Sequence, residues 1–363
     1  MSASSKATPV GTVSHPGQGR SRRHVVLRAS GRSLKVERRT LSVCAVMLAV
    51  CAGLGTAGLL LGDYPLTVRQ VIGYLFGDHT DPLAGFFVRE QRLPRVLLAV
   101  LVGAALGVSG QVFQSLSGNP LGSPDIIGFT TGSATGAVLQ IIVFDAGPAG
   151  AAGGALLGGF ATALVVYLLA HRGGVSGLRL VLVGIGIGLM LGALNTLLVA
   201  RASLVAAQTA AQWLAGSLNA TTWSQVGLVS AALVLLLPMA LVRGRTLTAM
   251  TLGDASAAAL GIRPERQRLV LVVCGVALVA VATAACGPIA FIALAAPQLA
   301  RRLTRSSGAG LLPAALMGAC LVLGSDILAQ RLFAPTQLAV GVVSGTLGGI
   351  YLIWLLAMER SRL

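Results

Sequence analysis

The chain has 363 residues, of which 55% are hydrophobic and only 10% charged, with a formal net charge of +16. A soluble protein would carry roughly 25% charged residues, so that class is excluded and an integral membrane protein is expected. The charge does not mark a nucleic-acid binder: nine basic residues fall in the first forty positions and most others at the ends of apolar runs, as when Lys and Arg collect in cytoplasmic loops.

Residues 1–40 are polar, basic and rich in Ser, Gly and Arg, and are expected to form a disordered cytoplasmic tail. Residues 41–363 are expected to form the membrane domain. About 20 apolar residues carry a helix across a ~30 Å hydrocarbon core. On that ruler ten spans are predicted, over 41–62, 94–114, 124–145, 149–170, 179–200, 224–242, 267–287, 288–304, 311–330 and 337–357. The expected fold is all-α and polytopic, with both termini cytoplasmic and the inner side far richer in Arg than the outer. Gly103/Gly107 and Gly184/Gly188/Gly192, spaced four apart, predict close helix packing. Arg95-Val-Leu-Leu-Ala-Val and Arg268-Leu-Val-Leu-Val-Val open two spans that run in opposite directions, a short echo of the inverted repeats of transporters.

The segment Cys286–Arg302 is apolar but interrupted by Pro288 and Pro297. Each proline removes an amide donor and clashes with the preceding turn. Broken backbone survives at membrane depth only where protein or a water-lined cavity satisfies the freed carbonyls. The segment is therefore predicted to hold helix ends that meet inside a transport protein.

What the chain lacks narrows its mechanism. Cys44, Cys51, Cys274, Cys286 and Cys320 all sit in apolar segments without metal-ligand spacing, and the four histidines are scattered. No metal site, catalytic residue or cofactor is assigned, and the chain is not expected to be an enzyme. Its only lysines, Lys6 and Lys35, lie in the tail outside any phosphate loop, so it cannot hydrolyse ATP in that way alone. No acidic residue falls near the centre of a predicted span; Asp125 starts the third and Asp326 lies toward the outer end of the ninth. Ion-coupled carriers usually need such a group. They remain the alternative class, and an ATPase on another subunit is the expected energy source.

One cytoplasmic loop suits a partner ATPase. Across Leu252-Gly253-Asp254 to Leu260-Gly261-Ile262-Arg263-Pro264, Asp254 is expected to cap a short alanine-rich helix, including Ala257 and Ala258. Gly261 is expected to take the left-handed C-terminal position, and Pro264 to block continuation. Such a helix can seat in a groove on another protein.

Arg92-Leu93-Pro94-Arg95, Gly110-Gln111, Asn119-Pro120-Leu121 with Pro124 and Gly128, Trp213 to Ser217, the 252–261 loop, Gly287–Arg302 and Gln337 to Gly341 follow one another in a recognisable order. From about residue 45 to 357 the chain resembles the FecCD family, permeases of binding-protein-dependent ABC importers for iron–siderophores and cobalamin. The resemblance implies a type II importer permease in a bacterial cytoplasmic membrane. A second permease subunit, two ATPase copies using ATP and Mg, and a periplasmic or lipid-anchored binding protein would complete the complex. The cargo would be a ferric siderophore, with cobalamin or haem as alternatives.

Among site residues, the resemblance implies that Arg92 and Arg95 dock the binding protein at the outer face. Arg331 is the candidate for a third docking arginine, since the family's own position is occupied by Gln330. Leu252, Gly253, Asp254, Ala257, Ala258, Leu260 and Gly261 would form the ATPase-coupling helix, and Val175, Ser176 and Gly177 the cytoplasmic gate. Asn119, Pro120, Gly287, Pro288 and Pro297 belong to structural motifs. Ala293, Gln298 and Ala339 depart from the commoner family pattern, and with Gly348 to Leu352 they resemble the second permease of enterobactin-type systems.

Overall fold

A computed structural model describes residues 24–29, 32–62, 64–77, 81–171, 177–305 and 308–360. An antiparallel hairpin of β1 (His24–Ala29) and β2 (Arg32–Glu37) pairs His24 with Glu37 at one end and Ala29 with Arg32 at the other. It leads straight into α1 (Arg38–Leu60). Part of the stretch expected to be an unstructured tail is thus a hairpin and the first turn of a helix.

A small cap follows, made of α2 (Val68–Leu75), α3 (Pro82–Phe86) and a π-helical turn (Phe87–Arg92) that continues into α4 (Leu93–Ser117). Then come α5 (Phe129–Ile142), α6 (Pro148–Ala170), α7 (Gly177–Arg201), α8 (Leu204–Leu214) and α9 (Trp223–Val242). The short α10 (Gly244–Met250) and α11 (Asp254–Ala259) precede α12 (Pro264–Cys286), α13 (Ile292–Thr304), α14 (Leu311–Arg331) and α15 (Val340–Arg360).

Every one of the ten predicted runs carries a helix, but not all are full length. Among the described residues seven helical segments are long and apolar enough to cross a membrane: Arg38–Leu60, Pro82–Ser117, Pro148–Ala170, Leu178–Arg201, Trp223–Val242, Pro264–Cys286 and Leu311–Arg331. The apolar part of α15, Val340–Trp354, is shorter. The third and eighth runs yield only 14 and 13 helical residues, about 20 Å of helix each. Both begin late for a backbone reason. Residues 124–128 form turns that end at Gly128 with φ 83°, and residues 287–290 are non-helical up to Phe291, which has φ 68°. Each conformation stops a right-handed helix from starting sooner.

Burial ranks the helices. The most hydrophobic windows of α4, α12 and α14 are 72%, 78% and 67% buried, against 17–28% for α1, α6, α7 and α9. The first three are therefore the centre and the others the rim, whose apolar outer faces suit lipid or a neighbouring subunit. α4 and α12, the helices that open on the echoed motif, are the two most buried. Gly103 and Gly107 of α4 lie against Gly318 and Ala314 of α14, where a Cβ would overlap a carbonyl. The predicted close packing is thus present. Gly184 and Gly188 of α7 instead receive the turn at Ile127–Gly128, and Gly192 faces open space. A second pair of small-residue stripes, Gly132/Gly136 on α5 and Gly154/Gly158 on α6, brings those helices together.

Candidate functional site

The proline-broken segment is one side of a three-way joint. Gly287 has φ 74° and ψ 179°, a conformation open essentially to glycine alone, and a Cβ there would overlap the Trp213 carbonyl. Gly216, after α8, abuts the Pro288 carbonyl; Gly341, at the start of α15, abuts the carbonyls of Ala215 and Pro288. Two backbone bonds tie the strands of chain together, from Ser217 N–H to the Cys286 carbonyl (2.8 Å) and from Gly341 N–H to the Gly216 carbonyl (3.0 Å). Helix ends meet here and satisfy one another's carbonyls, as expected from Pro288. Pro297 differs from expectation: it lies buried inside α13 without ending it. The Ala293 carbonyl, deprived of its usual amide donor by Pro297, packs against Gly110 of α4, where any Cβ would overlap it.

The predicted docking arginines sit three residues apart but face different partners. Arg92 is 7% exposed. Its guanidinium donates to the carbonyls of Leu59 (2.9 Å), Leu60 (3.3 Å) and Tyr64 (2.6 Å). It thereby caps the C-terminal carbonyls of α1, which have no helical donors of their own. That places Arg92 inward rather than at the open mouth where docking was expected. Arg95 is turned toward α14. Its Nε donates to Oδ2 of Asp326 (3.0 Å) and its Nη2 to Oδ1 (2.8 Å), while Nη1 donates to Oε1 of Gln337 (3.1 Å). Gln330 donates to Oδ2 of Asp326 (2.8 Å). Arg331 is exposed at the end of α14. Sequence reasoning missed the Arg95–Asp326 pair, whose members are separated by 231 residues.

Around Arg92 the cap is built on Val71, Tyr74, Ala84 and Val88. Asp81 accepts hydrogen bonds from the Tyr64 hydroxyl (2.8 Å) and from the N–H groups of Leu83 and Ala84. The Tyr64 hydroxyl and these amides hold the Asp81 carboxyl below the ordinary carboxylate range.

The other end of the bundle carries Arg243, Arg245, Arg263, Arg266, Arg268, Arg301, Arg302 and Arg305, and α11 lies among them. Here two expectations change. Gly253, not Asp254, is the N-cap of α11. The Asp254 carboxylate instead accepts both of its hydrogen bonds from Arg268 of α12 (2.9 and 3.1 Å). Ala257 is fully buried, so it faces the bundle. Leu252 and Leu260, in contrast, are 70% and 67% exposed, and Ala258 is exposed with them. Gly261 takes the expected left-handed conformation (φ 78°), and Ile262 N–H closes back onto the Ala257 carbonyl (3.1 Å). Pro264 opens α12, as predicted. The result is a rigid turn of helix presenting leucines outward.

Asn119 and Pro120 anchor the turn between α4 and α5. The Asn119 side chain accepts from Leu121 N–H (2.9 Å), and Gln298 of α13 donates to the Pro120 carbonyl (2.8 Å). Gln298 thus holds this turn to α13. Nearby, Asp125 stands at the head of half-length α5 rather than at the edge of a full span. One oxygen accepts from Thr130 (2.6 Å), the other is buried without a partner among the described residues, and the Phe291 N–H at the head of α13 faces the same carboxylate. Asp125 precedes α5, so it stays at the head of that run, as expected, and not at the centre of a helix. Of the predicted gate, Val175 and Ser176 lie outside the described residues, and Gly177 is the first residue of α7. Among the described residues no group of three or more His, Cys, Asp or Glu is placed to hold a metal.

The chain is similar to known proteins over nearly its whole length. The model of the FecCD transport family matches residues 46–358. The ferric enterobactin transport system permease protein FepG of Escherichia coli is 47% identical over 327 residues, covering 90% of this chain and 99% of that protein. The hemin transport system permease protein HmuU of Yersinia pestis is 34% identical, covering 90% and 98%. Among solved structures, a metal-chelate type ABC transporter in an inward-facing conformation superposes with a TM-score of 0.79 at 27% identity, covering 88% of this chain and 99% of that one. The expected all-helical type II importer permease is the fold observed, and this chain belongs to the FecCD transport family.

Proposed function

We propose that this chain is the permease subunit of an ATP-driven importer that carries a ferric siderophore of the enterobactin type across a bacterial cytoplasmic membrane. The observation that carries the reading is 47% identity over 90% of the chain to a ferric enterobactin permease. The two ends of the bundle support the division of labour. One end bears most of the arginines and the self-capped α11 with its outward leucines, a docking element for an ATPase. By the same charge bias that end, and both termini, face the cytoplasm. The opposite end bears the 61–92 cap, Arg95 and exposed Arg331, and faces the binding protein.

On this reading the chain binds no nucleotide. Hydrolysis belongs to two copies of an ATPase, and a second, non-identical permease completes the channel. The half-helices α5 and α13 and the joint at Gly216, Gly287 and Gly341 are the breaks in the bundle around which it would change shape during transport, and Val175, Ser176 and Gly177 keep the gate role the family resemblance implies. Arg95 carries the docking role, with Arg331 at the end of α14 as the second candidate, while Arg92 serves the same face by holding α1 and the cap in place. Similarity to a hemin permease keeps haem as the second cargo to test. Purifying the intact complex and identifying its subunits and bound chelate tests the proposal. Co-purifying ATPase and a bound ferric siderophore are expected; a chain that purifies alone and transports on an ion gradient would overturn it.

A further inference from the structure

α2 is apolar over more of its surface than the cap covers. Val71 and Tyr74 turn into the cap and are buried there. Arg69 and Gln70 are exposed on the polar side. A third face lies between these two, successive residues being about 100° apart around the helix. On it Val68, Ile72 and Phe76, spaced four apart and therefore in line, are 58%, 50% and 89% exposed. α3, whose Gly85 lies beside the Tyr74 ring, leaves Leu83 and Phe86 more than half exposed as well.

The position of this stripe decides what covers it. α1 has 23 residues and is about 34 Å long, so its end at Leu60 lies at the edge of a ~30 Å hydrocarbon core. Arg92 draws the connection to α2 in against that end by bonding the carbonyls of Leu59, Leu60 and Tyr64. α1 is also a rim helix, with Val46, Leu48 and Val50 turned out of the bundle. α2 thus leaves the bundle on its lipid side, at headgroup depth, where an amphipathic helix buries its apolar face about 5–10 Å into the headgroup and acyl boundary. A binding protein comes and goes and would return Phe76 to water between visits; the bilayer does not. We infer that α2 is an interfacial anchor, with Val68, Ile72 and Phe76 seated among phospholipid acyl chains of the leaflet into which the cap opens. The stripe carries no charge, so it selects no headgroup, and Arg69, next to Phe76 around the helix, keeps its guanidinium in the headgroup layer. The leaflet then steadies the cap from outside as Arg92 steadies it from within.

The test uses the full complex in phospholipid nanodiscs, with and without its binding protein. Photocrosslinking is read by adduct mass for Ile72→p-benzoylphenylalanine and Phe76→p-benzoylphenylalanine. The same replacement at Leu48, on the rim of α1, is the lipid reference, and at Gln70 the water reference. Phospholipid adducts are expected at 48, 72 and 76, unchanged by the binding protein, and not at 70. Adducts to the binding protein at 72 or 76, or lipid yields there no higher than at 70 while 48 reacts, overturn the anchor. A second measurement combines Val68→Ser, Ile72→Ser and Phe76→Ser and follows hydrogen exchange of the α2 amides. Exchange should rise at least about tenfold, since returning even one such side chain to water is worth a decade. Wild-type exchange in that variant also overturns the proposal. Melting of the bundle should be unchanged, because none of the three side chains belongs to a buried core.

Discussion

Replacing Leu260 by Asp separates a partner-facing residue from a core residue within one short helix. Complete burial of a leucine side chain is worth about 1.5–3 kcal/mol. Leu260 is 67% exposed, so a groove that covers it gains roughly two thirds of that, about 1–2 kcal/mol. Losing this term, and burying a charge in its place, should weaken ATPase binding at least about tenfold, since 1.4 kcal/mol is one decade. The membrane fold should be untouched, because the side chain already faces water. Ala257→Leu provides the contrast. That position is fully buried, and overpacking a filled site costs about 1–3 kcal/mol. It should therefore lower the melting temperature of the permease itself. The assay is ATPase affinity measured on the detergent-purified permease, alongside a thermal melt of each variant. Wild-type ATPase affinity for Leu260→Asp and Leu252→Asp together would refute α11 as the docking element.

Three further outcomes follow from the geometry. Arg92→Ala leaves the Leu59, Leu60 and Tyr64 carbonyls without their donor and should cost about 2–4 kcal/mol, read as a lower melting temperature and faster hydrogen exchange at the end of α1. Gly287→Ala adds a Cβ where φ is 74° and the Trp213 carbonyl is in the way; backbone strain alone is about 1–3 kcal/mol, and transport should fall more than ATPase binding. For Asp81 the folded-state carboxyl is held low, so its contribution is present above the ordinary carboxylate range and lost as pH falls through the lowered value. Tyr64→Phe should move that loss to higher pH, seen as earlier exchange of the Leu83 and Ala84 amides on acidification.

Full-length spans were legible in the sequence because a run of about 20 apolar residues has few alternatives to a membrane helix. Gly103/Gly107 and the left-handed Gly261 were legible for equally local reasons. What escaped depended on distant partners. The late starts of α5 and α13 follow from turns at Gly128 and Phe291, and only their packing on α7 and α15 fixes those turns. That shift leaves Asp125 in the turn before α5, with one carboxylate oxygen shielded. Arg92 and Arg95 looked alike in sequence, yet one faces the end of α1 and the other a carboxylate on α14. Ala257 and Leu260 are three apart on a helix and might share a face by spacing alone; the fold of 261–264 back onto α12 decides that one is core and the other surface. The similarity to the FecCD family supplied the type of complex and where its partners would meet the chain, but not which side chains are free to meet them.

The central claim, import driven by ATP hydrolysis on a partner, is tested most directly in proteoliposomes holding the purified complex with its binding protein and a ferric siderophore. Uptake should require ATP and Mg on the ATPase side and persist when an ionophore collapses the proton gradient. Uptake by the permease alone, driven by a pH or sodium gradient without ATP, would contradict the account.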